Sequence, residues 1–287
     1  MASSAKIKTS SANQTVFLLG KPVAHSLSPL MQNAAFRALE LKTFYAPLEL
    51  EPWQLDSFFN VFKGANVCGA NVTVPYKEKV IAHLDAVEKG ARWLGSVNTI
   101  YKKTGKVWGA STDGDGFLLS LGSYRKKLKG TDGLLLGSGG AAKAVAGALA
   151  GSGIRRLFIA NRSVPRAAQL AKTLQKLYVR LDVGVVSFEE AEKLLPRIDW
   201  IVQATSMGLK PGDPSPISLK RARKSIWAMD LIYNRPTVFL NEAKYQKLKP
   251  IGGWGMLLYQ GALAFEKWTG RKAPLEVMRA VLLKNLS

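Results

Sequence analysis

The sequence predicts an α/β protein with two domains, the first built on a mostly parallel sheet and the second on a Rossmann-type sheet. Strand-like and helix-like stretches alternate along almost all of its 287 residues, and this alternation is typical of βα units. A glycine-rich turn at 137–142 joins a buried strand to a helix, and a second series of βα stretches begins near residue 113. We therefore expect two α/β lobes with a cleft between them.

The first series places strands at 15–20, 43–50 and 69–76, with helices at 28–41, 53–64 and 77–85. Ser28 followed by proline fits the start of the first helix, where a serine caps the helix and proline takes the first turn. The segment 95–112 reads as two strands around a Thr-Gly turn.

The segment "NVTVPYK" (71–77) ends a strand with a proline and then a lysine. The strand period of two predicts that Val72 and Val74 share a buried face, while Asn71 and Thr73 share the other. Proline removes a ladder donor, so the strand should end there. Lys77 would then lie at the carboxyl end of the strand, where ligands bind in open parallel sheets.

The second series predicts buried strands at 134–136 and 225–233 and strand-like stretches at 155–162 and 182–188. An Ala-rich helix follows the glycine-rich turn, helix-like stretches lie at 164–177 and 236–248, and the stretch 188–205 continues the alternation. Two amphipathic helices occupy the stretch from 256 to 286.

The turn at 137–142 satisfies the G-x-G-x-x-A pattern between a strand and a helix, which predicts a dinucleotide site. The candidate cofactor-binding residues of this turn are Gly137, Ser138, Gly139, Gly140 and Ala141. The next strand ends where an NAD site usually carries an acidic residue that binds the ribose. This chain instead has Asn161, Arg162, Ser163 and Arg166 there. Guanidinium groups suit a 2′-phosphate, so we expect NADP(H) as the cofactor.

Polar residues follow several strands of the first lobe. Ser26 and Ser28 precede its first helix, and Asn71, Thr73, Asn98 and Asp113 end strand-like stretches. Each one alone is typical of a turn or a cap. Together they predict a small pocket that reads hydroxyl and carboxylate groups. Lys77 and Asp113 are the ionisable pair among them, and an ammonium held by a carboxylate can protonate an alkoxide formed by hydride transfer.

The formal net charge is +21, from 41 Lys and Arg against 20 Asp and Glu. The densest basic runs, at 124–129 and 218–224, lack the interleaved aromatic residues of a single-strand nucleic-acid platform. We expect these runs to be solvated faces, and the charge to favour an anionic small-molecule substrate or cofactor over nucleic acid.

The remaining composition argues for a cytoplasmic protein. No apolar run reaches the length of a membrane span. The basic N-terminal segment lacks the apolar core that a secretory signal requires. We expect this segment to be a disordered tail, with a transit peptide as the alternative. A single cysteine, Cys68, excludes an intramolecular disulfide framework, and with two histidines no metal site is expected.

From about residue 15 to 283 the chain resembles the shikimate dehydrogenases. The resemblance rests on "KPVAHSLSP", "NVTVPYK", "SVNTI", "STDGDG", "GSGGAAKA", "NRS", "ATSMG", "MDLIY" and "GMLLYQGALAF", which occur in the order of that family.

This resemblance implies a role for each matching position. Lys77 would be the catalytic lysine and Asp113 its partner. The substrate would be bound by Ser26, Ser28, Asn71, Thr73, Lys77, Asn98, Asp113, Tyr233 and Gln260. To the cofactor residues named above, the resemblance adds Thr205, Ser206, Met207, Leu231, Gly253 and Met256.

The resemblance also implies a domain order. A substrate domain at 1–112 would be completed by C-terminal helices at 255–287, and a Rossmann-type NADP domain at 113–254 would be inserted between them. The expected reaction is the NADPH-dependent reduction of 3-dehydroshikimate to shikimate, in a monomer or homodimer.

Three positions depart from the usual family motifs: Gln203 and Ser111 each stand where Asn is common, and Met31 begins "MQN" where His-Asn is commoner. They leave open a quinate/shikimate dehydrogenase that uses NAD or NADP. An alternative from another class is a basic nucleic-acid-binding protein that retains a dehydrogenase fold.

Overall fold

The computed structural model describes residues 13–64 and 66–286. The predicted N-terminal tail lies outside these residues. In the described chain, strands form two six-stranded sheets. The first sheet contains β1 (Gln14–Gly20), β2 (Thr43–Glu49), β3 (Val67–Val72), β4 (Ala86–Val87), β5 (Thr99–Lys103) and β6 (Lys106–Ala110). The second contains β7 (Asp132–Leu136), β8 (Arg156–Ala160), β9 (Asp182–Val186), β10 (Trp200–Gln203), β11 (Trp227–Asp230) and β12 (Lys249–Ile251).

The first sheet has the order β2-β1-β3-β5-β6-β4 and is mixed. Strands β1, β2 and β3 are parallel, whereas β5 runs antiparallel to β3 and β6. The predicted strand pair around a Thr-Gly turn is confirmed as β5 and β6. Thr104 and Gly105 have φ values of 49° and 74°, the positive φ pair that a two-residue hairpin turn requires.

The outer edge of this sheet, β2, is closed to further pairing. The Asn33 side chain donates to the Tyr45 carbonyl oxygen at 2.9 Å and accepts from the Tyr45 N–H at 2.8 Å. Two residues on, Pro47 has no N–H to offer. Because alternate residues of a strand point their backbone groups in the same direction, Asn33 and Pro47 together blunt one edge.

The second sheet has the order β12-β11-β10-β7-β8-β9, and all its pairs are parallel. The strand order reverses between β7 and β10, which is the doubly wound Rossmann arrangement with its ligand crevice at that point. The prediction of a two-lobed α/β fold is confirmed.

Helices cover both sheets and connect the lobes. They are α1 (Ser28–Ala38), α2 (Leu55–Gly64), α3 (Lys89–Leu94), α4 (Asp113–Ser120), α5 (Gly140–Gly151), α6 (Val164–Leu177), α7 (Phe188–Leu194), α8 (Val238–Tyr245), α9 (Trp254–Thr269) and α10 (Leu275–Lys284). The C-terminal helices α9 and α10 return to the first lobe, where Phe265 and Met278 share a buried cluster with Phe36 of α1.

Two local predictions are wrong. The sequence predicts a helix over 77–85, but the segment contains only a 3-10 helix at Lys79–His83. Val74 was expected to be buried beside Val72, but it is 63% exposed. The strand ends at Val72, so the alternation of faces stops before Val74 is reached.

The basic runs are exposed, as expected. Within 124–129 only Leu128 is buried. Other basic residues form ion pairs within the second sheet: Arg155 and Arg156 donate to the Asp132 carboxylate at the start of β7. Burial raises the pKa of this carboxyl, but the two arginines outweigh it and hold the pKa below its ordinary value.

No helix in the described ranges combines the length and apolar character needed to cross a bilayer. The same residues contain no group of three or more His, Cys, Asp or Glu side chains placed to hold a metal ion.

Asp230, at the end of β11, is a fully buried carboxyl that organises the following loop. It accepts from the Ile232 N–H at 3.0 Å and from the Thr237 hydroxyl at 2.6 Å. The Thr237 hydroxyl also accepts from the Leu240 N–H and so caps α8. Burial raises the pKa of Asp230 to about 6, although both hydrogen bonds oppose this.

The substitution Gly69→Ala tests the docking of α9 on the first sheet. A Cβ at Gly69 would lie 2.2 Å from the Trp268 ring, which donates its N–H to the Ile100 carbonyl oxygen. We expect the free energy of unfolding to fall by about 1–3 kcal/mol, as for overpacked cores. Urea unfolding measures this. Gly64→Ala is the control, because apart from its chain neighbours and its own helix no described heavy atom lies within 4 Å of the added Cβ; an equal loss there would contradict the explanation.

The substitution Asp230→Asn tests the raised pKa. The folded protein holds this proton more tightly than the unfolded chain, so Asp230 makes the free energy of unfolding fall as the pH rises from about 4 to about 6. A shift of about 2 units corresponds to about 3 kcal/mol. We expect the stability of the variant relative to wild type to rise by about 2–3 kcal/mol over this range, and to stay constant above it. Urea unfolding at several pH values measures the difference, and a difference independent of pH would contradict it.

Candidate active site

Polar segments far apart in sequence meet at one edge of the first sheet, the edge formed by the ends of the strands and not by the outer strand β2. The carboxyl ends of β3 and β6 lie at this edge, and because β5 is antiparallel its amino end lies there too. The register pairs Asn71 with Thr99, and Thr99 with Ala110. Asn98 directly precedes β5, and residues 112–113 follow β6. The mixed sheet thus brings together three of the predicted polar segments.

Lys77 and Asp113 form an ion pair at this edge. The Lys77 ammonium donates to Oδ2 of Asp113, and both side chains are largely buried, with exposed fractions of 13% and 5%. Oδ1 of Asp113 accepts from Nδ2 of Asn98 at 2.8 Å. The carboxylate is therefore held from both sides. An ammonium has three N–H donors, and the bond to Asp113 uses one.

Asn98 connects this pair to the rest of the pocket. Its Oδ1 accepts from the Thr112 backbone N–H and from the Thr99 hydroxyl, each at 2.8 Å. Its Nδ2 lies 3.2 Å from Oε1 of Gln260, and its carbonyl oxygen accepts from Nδ2 of Asn71 at 3.0 Å. Because each buried polar group has a partner, the network holds these side chains in one arrangement.

Ser26, Ser28 and Tyr233 lie on the far side of Asn71, around Tyr45. The Tyr45 hydroxyl donates to Oδ1 of Asn71 at 2.9 Å. Burial raises the pKa of the Tyr45 phenol well above its ordinary value, against a hydrogen bond with Ser28. Burial likewise raises the pKa of Tyr233, against hydrogen bonds with Ser26 and the Leu27 backbone.

Ser28 is the first residue of α1 but does not cap it, since Leu27 takes the N-cap position without a side-chain bond. Instead, the Ser26 hydroxyl accepts from the Ser28 N–H at 3.2 Å. The alternative that Ser28 is only a helix cap is therefore not supported.

Gln260 reaches the site because α9 packs closely on α4. A Cβ at Gly116 of α4 would lie 2.7 Å from the backbone N of Gln260. The glycine permits this approach, and α4 begins with Asp113. One helix contact therefore sets the distance between Gln260 and the ion pair.

Thr73 is placed differently from the other predicted residues. It lies beyond the end of β3, and its methyl group faces Gly20, where an added Cβ would be 2.3 Å away. Among the described hydrogen bonds, those of Thr73 involve its backbone: its N–H donates to Leu19 and its carbonyl oxygen accepts from Tyr76.

The glycine-rich turn lies at the crevice of the second sheet. Gly137 has a φ of 113°, and an added Cβ would lie 2.9 Å from the Ala204 carbonyl oxygen. Ser138 is only 1% exposed, and its hydroxyl has no hydrogen-bond partner in the described structure. A buried hydroxyl without a partner is costly. Together with the N-terminus of α5, it forms a ready site for an anionic group.

The same turn touches the first lobe at Gly140. A Cβ at Gly140 would lie 2.9 Å from Cβ and Cδ of Lys77. The Ser96 hydroxyl donates to the Gly140 carbonyl oxygen at 3.0 Å. The aliphatic stem of Lys77 therefore packs against the first turn of α5.

The predicted ribose segment follows β8. Nδ2 of Asn161 donates to the Ser163 carbonyl oxygen at 2.9 Å and shapes the turn before α6. Arg162 is exposed. Arg166 donates from Nη2 to Oε1 of Glu78 at 2.9 Å, across the cleft.

Gln203 organises the loop that follows β10. Its Oε1 accepts from the Thr205 N–H at 2.6 Å, and its Nε2 donates to the Met207 carbonyl oxygen at 2.7 Å. The Thr205 hydroxyl accepts from the Met207 N–H. Ser206, between them, is exposed. The residue that departs from the usual motif therefore still supports the loop.

The last three predicted cofactor residues lie where β11 meets α9. A Cβ at Gly253 would lie 2.3 Å from the Leu231 carbonyl oxygen, so only glycine fits there. Met256 is 6% exposed and belongs to the buried cluster of the second lobe. It packs as a core residue in this structure.

Sequence reasoning missed Tyr45, Thr99 and Glu78. Tyr45 and Thr99 belong to residue types that are common in strands, and an acidic residue such as Glu78 is ordinary at the start of a predicted helix. Only its position next to Lys77 could have drawn attention to Glu78.

Family models match three stretches of the chain. The model described as the shikimate dehydrogenase substrate binding domain matches residues 18–100. Those described as shikimate / quinate 5-dehydrogenase and as the shikimate 5'-dehydrogenase C-terminal domain match residues 121–211 and 253–283.

Whole-chain relatives agree. A shikimate dehydrogenase (NADP(+)) of Methanopyrus kandleri is 39% identical over 291 residues, covering 99% of each chain. The solved shikimate 5-dehydrogenase of Thermus thermophilus, in complex with NADP(H) and shikimate, is 36% identical with a TM-score of 0.83 and covers 95% of this chain and 99% of that one.

A more distant neighbour has another substrate in its name. The quinate dehydrogenase of Corynebacterium glutamicum, in complex with NAD, is 28% identical with a TM-score of 0.83, covering 95% of this chain and 99% of that one. Identity is higher to the two shikimate enzymes described above, at 39% and 36%. Sequence, fold and site geometry thus lead to one conclusion: the chain belongs to the shikimate dehydrogenase family.

Proposed function

We propose that this protein catalyses the reversible, NADPH-dependent reduction of 3-dehydroshikimate to shikimate. The observation that carries the proposal is the buried Lys77–Asp113 pair, held by Asn98 at a sheet edge that faces the glycine-rich turn. The names of the relatives support the same substrate and cofactor.

The substrate would occupy the polar pocket of the first lobe. Ser26, Ser28 and Tyr233 would bind the ring carboxylate, because they form a hydroxyl cluster around Tyr45. Asn71, Asn98 and Gln260 would bind ring hydroxyls through the amide network. Thr73 completes the proposed set, which requires its side chain to turn from Gly20 toward the substrate.

The residues of the second lobe fit NADP(H). Among the described residues the buried Ser138 hydroxyl has no hydrogen-bond partner, and the first turn of α5 offers its N–H groups beside it. Arg162 and Arg166 would bind the 2′-phosphate, with Asn161 and Ser163 shaping their turn. The loop at 204–208, Leu231, Gly253 and Met256 would line the nicotinamide side. When bound, NADPH supplies the hydride.

Lys77 would supply the proton. As the carbonyl carbon of the substrate accepts the hydride, its oxygen gains negative charge, which the ammonium stabilises and then neutralises by proton transfer. Asp113 keeps the ammonium in place and offers Oδ1 or Oδ2 to a neighbouring hydroxyl. In the oxidation direction the neutral amine would take the proton from the shikimate hydroxyl.

Substrate binding and cofactor binding would belong to two different domains. We assign the substrate domain to residues 1–112 with 255–287 and the cofactor domain to 113–254, with Asp113 and Tyr233 of the second range reaching the substrate pocket. The return of α9 and α10 to the first lobe supports this assignment. We further propose that the enzyme works in the cytoplasm as a monomer or homodimer and does not bind nucleic acid.

The direct test is the absorbance of reduced nicotinamide with shikimate or quinate and with NADP+ or NAD+. We expect turnover to be fastest with shikimate and NADP+. Faster turnover of quinate with NAD+ would favour a quinate/shikimate dehydrogenase. Salt-dependent RNA or DNA binding without any dehydrogenase activity would favour the nucleic-acid alternative.

The substitution Lys77→Ala removes the proposed proton donor. We expect kcat to fall about 10²- to 10⁴-fold, with the affinity for NADP+ nearly unchanged. Steady-state kinetics and protein fluorescence measure the two quantities. Turnover close to wild type would overturn the assignment.

A double variant separates chemistry from folding. Lys77→Ala leaves Asp113 as a buried carboxylate without its cation, which destabilises proteins. Lys77→Ala with Asp113→Asn removes both charges, and we expect it to recover thermal stability while turnover stays low. Recovery of turnover would mean that the lysine acts only through folding.

The substitution Ser138→Ala tests the cofactor site. Because the hydroxyl has no partner in the described structure, its loss should leave the free energy of unfolding unchanged or higher. The affinity for NADP+ should fall about tenfold, the value of a hydrogen bond to a charged group. Urea unfolding and fluorescence titration measure the two effects. A variant that loses stability and binds NADP+ normally would contradict the proposed contact.

A further inference from the structure

Glu78 connects the first lobe to two helices of the second. Its Oε1 accepts from Arg166 of α6 at 2.9 Å, and its Oε2 lies 2.8 Å from Nζ of Lys143 in the first turn of α5. The Glu78 side chain is 39% exposed and that of Arg166 57%, whereas that of Lys143 is only 18% exposed. The bond to Lys143 is thus the better shielded of the two, and the bond to Arg166 the easier to exchange.

Arg166 is also one of the two arginines proposed to bind the 2′-phosphate of NADP(H). In the structure one nitrogen of its guanidinium already donates a hydrogen bond to the Glu78 carboxylate. A phosphate dianion bound to the same side chain must displace Glu78 or lie next to it, and like charges at that distance repel. Glu78 therefore opposes the feature that distinguishes NADP(H) from NAD(H).

Glu78 also directly follows Lys77. The stem of Lys77 packs against Gly140, and Ser96 donates to the Gly140 carbonyl oxygen. The bond between Glu78 and Lys143 fastens the same segment to the same helix, one turn further on. Loss of this bond would loosen the catalytic lysine relative to the cofactor helix.

We propose that Glu78 is the internal counter-ion of the 2′-phosphate site: it limits the preference for NADP(H) over NAD(H) by holding Arg166, and it positions Lys77 by holding Lys143. The inference rests on the proposed function, since it takes Arg166 as a ligand of the 2′-phosphate. Binding of the 2′-phosphate releases Glu78 from Arg166, and Lys143 retains it.

The substitution Glu78→Gln removes the charge and nearly preserves the shape. We expect NADP+ to bind about twofold to fivefold more tightly, the range of a half-exposed charge interaction, and the affinity for NAD+ to stay unchanged. In the same variant kcat for shikimate oxidation should fall about twofold to tenfold, because Lys77 is less well positioned. Tighter cofactor binding with slower turnover is a combination that a general loss of structure does not produce.

Two further variants make the test specific. In an Arg166→Gln background, Glu78→Gln should no longer change the affinity for NADP+, since the shared guanidinium is gone. Glu189→Gln removes the same charge from an exposed pair with Lys193 on α7 and should leave the ratio of NADP+ to NAD+ affinity unchanged. The gain in NADP+ affinity should also shrink at about 1 M salt, where exposed charges are screened.

Fluorescence titrations of the full-length variants with NADP+ and NAD+ decide the outcome. An unchanged or weaker affinity of Glu78→Gln for NADP+, or the same gain in the Arg166→Gln background, overturns the inference. If wild-type protein binds no NADP+ at all, the proposed function fails first. NADP+ binding that does not respond to Glu78 leaves the proposed function intact and removes only this inference.

Discussion

The fixed position of Asp113 is the constraint on which the rest of the site depends. Its carboxylate lies at the start of α4, accepts from Lys77 on one oxygen and from Asn98 on the other, and is almost fully buried. A buried carboxylate is tolerated only with such partners. Asn98 is oriented by hydrogen bonds to Thr99, at the start of β5, and to Thr112, which follows β6. The mixed sheet therefore sets the position of Asn98 and, through it, that of the ion pair.

The cleft is defined by contacts that small residues permit. Gly116 lets α9 approach α4, and Gly140 lets the stem of Lys77 approach α5. A larger side chain at either position would separate groups that must meet: Gln260 and Asp113 in the first case, the two lobes in the second. Close backbone contact thus sets the distances over which the proposed hydride and proton transfers take place.

Much of this arrangement could be predicted from local patterns. The glycine-rich turn, the Thr-Gly hairpin and the helix at 28–38 each carry their signal within a few residues. The strand end at Val72 could not be predicted, because it depends on pairing with β1 and β5 and not on the alternation that continues to Val74. The ion pair of Glu78 with Arg166 joins residues 88 apart, and no local pattern encodes it. The resemblance to a family supplied the roles of Gln260 and Tyr233, which periodicity alone would have placed in an ordinary helix and strand.

The closed edge at β2 has a consequence for how copies of this protein meet. The Asn33 side chain already bonds the N–H and the carbonyl oxygen of Tyr45, which an incoming strand would need. Pro47 offers such a strand no N–H donor. Two molecules therefore cannot join their first sheets into one continuous sheet through β2 without breaking bonds that already exist. Any homodimer formed at this side must rely on side-chain contacts, and the same edge resists the strand-by-strand growth that leads to fibrils.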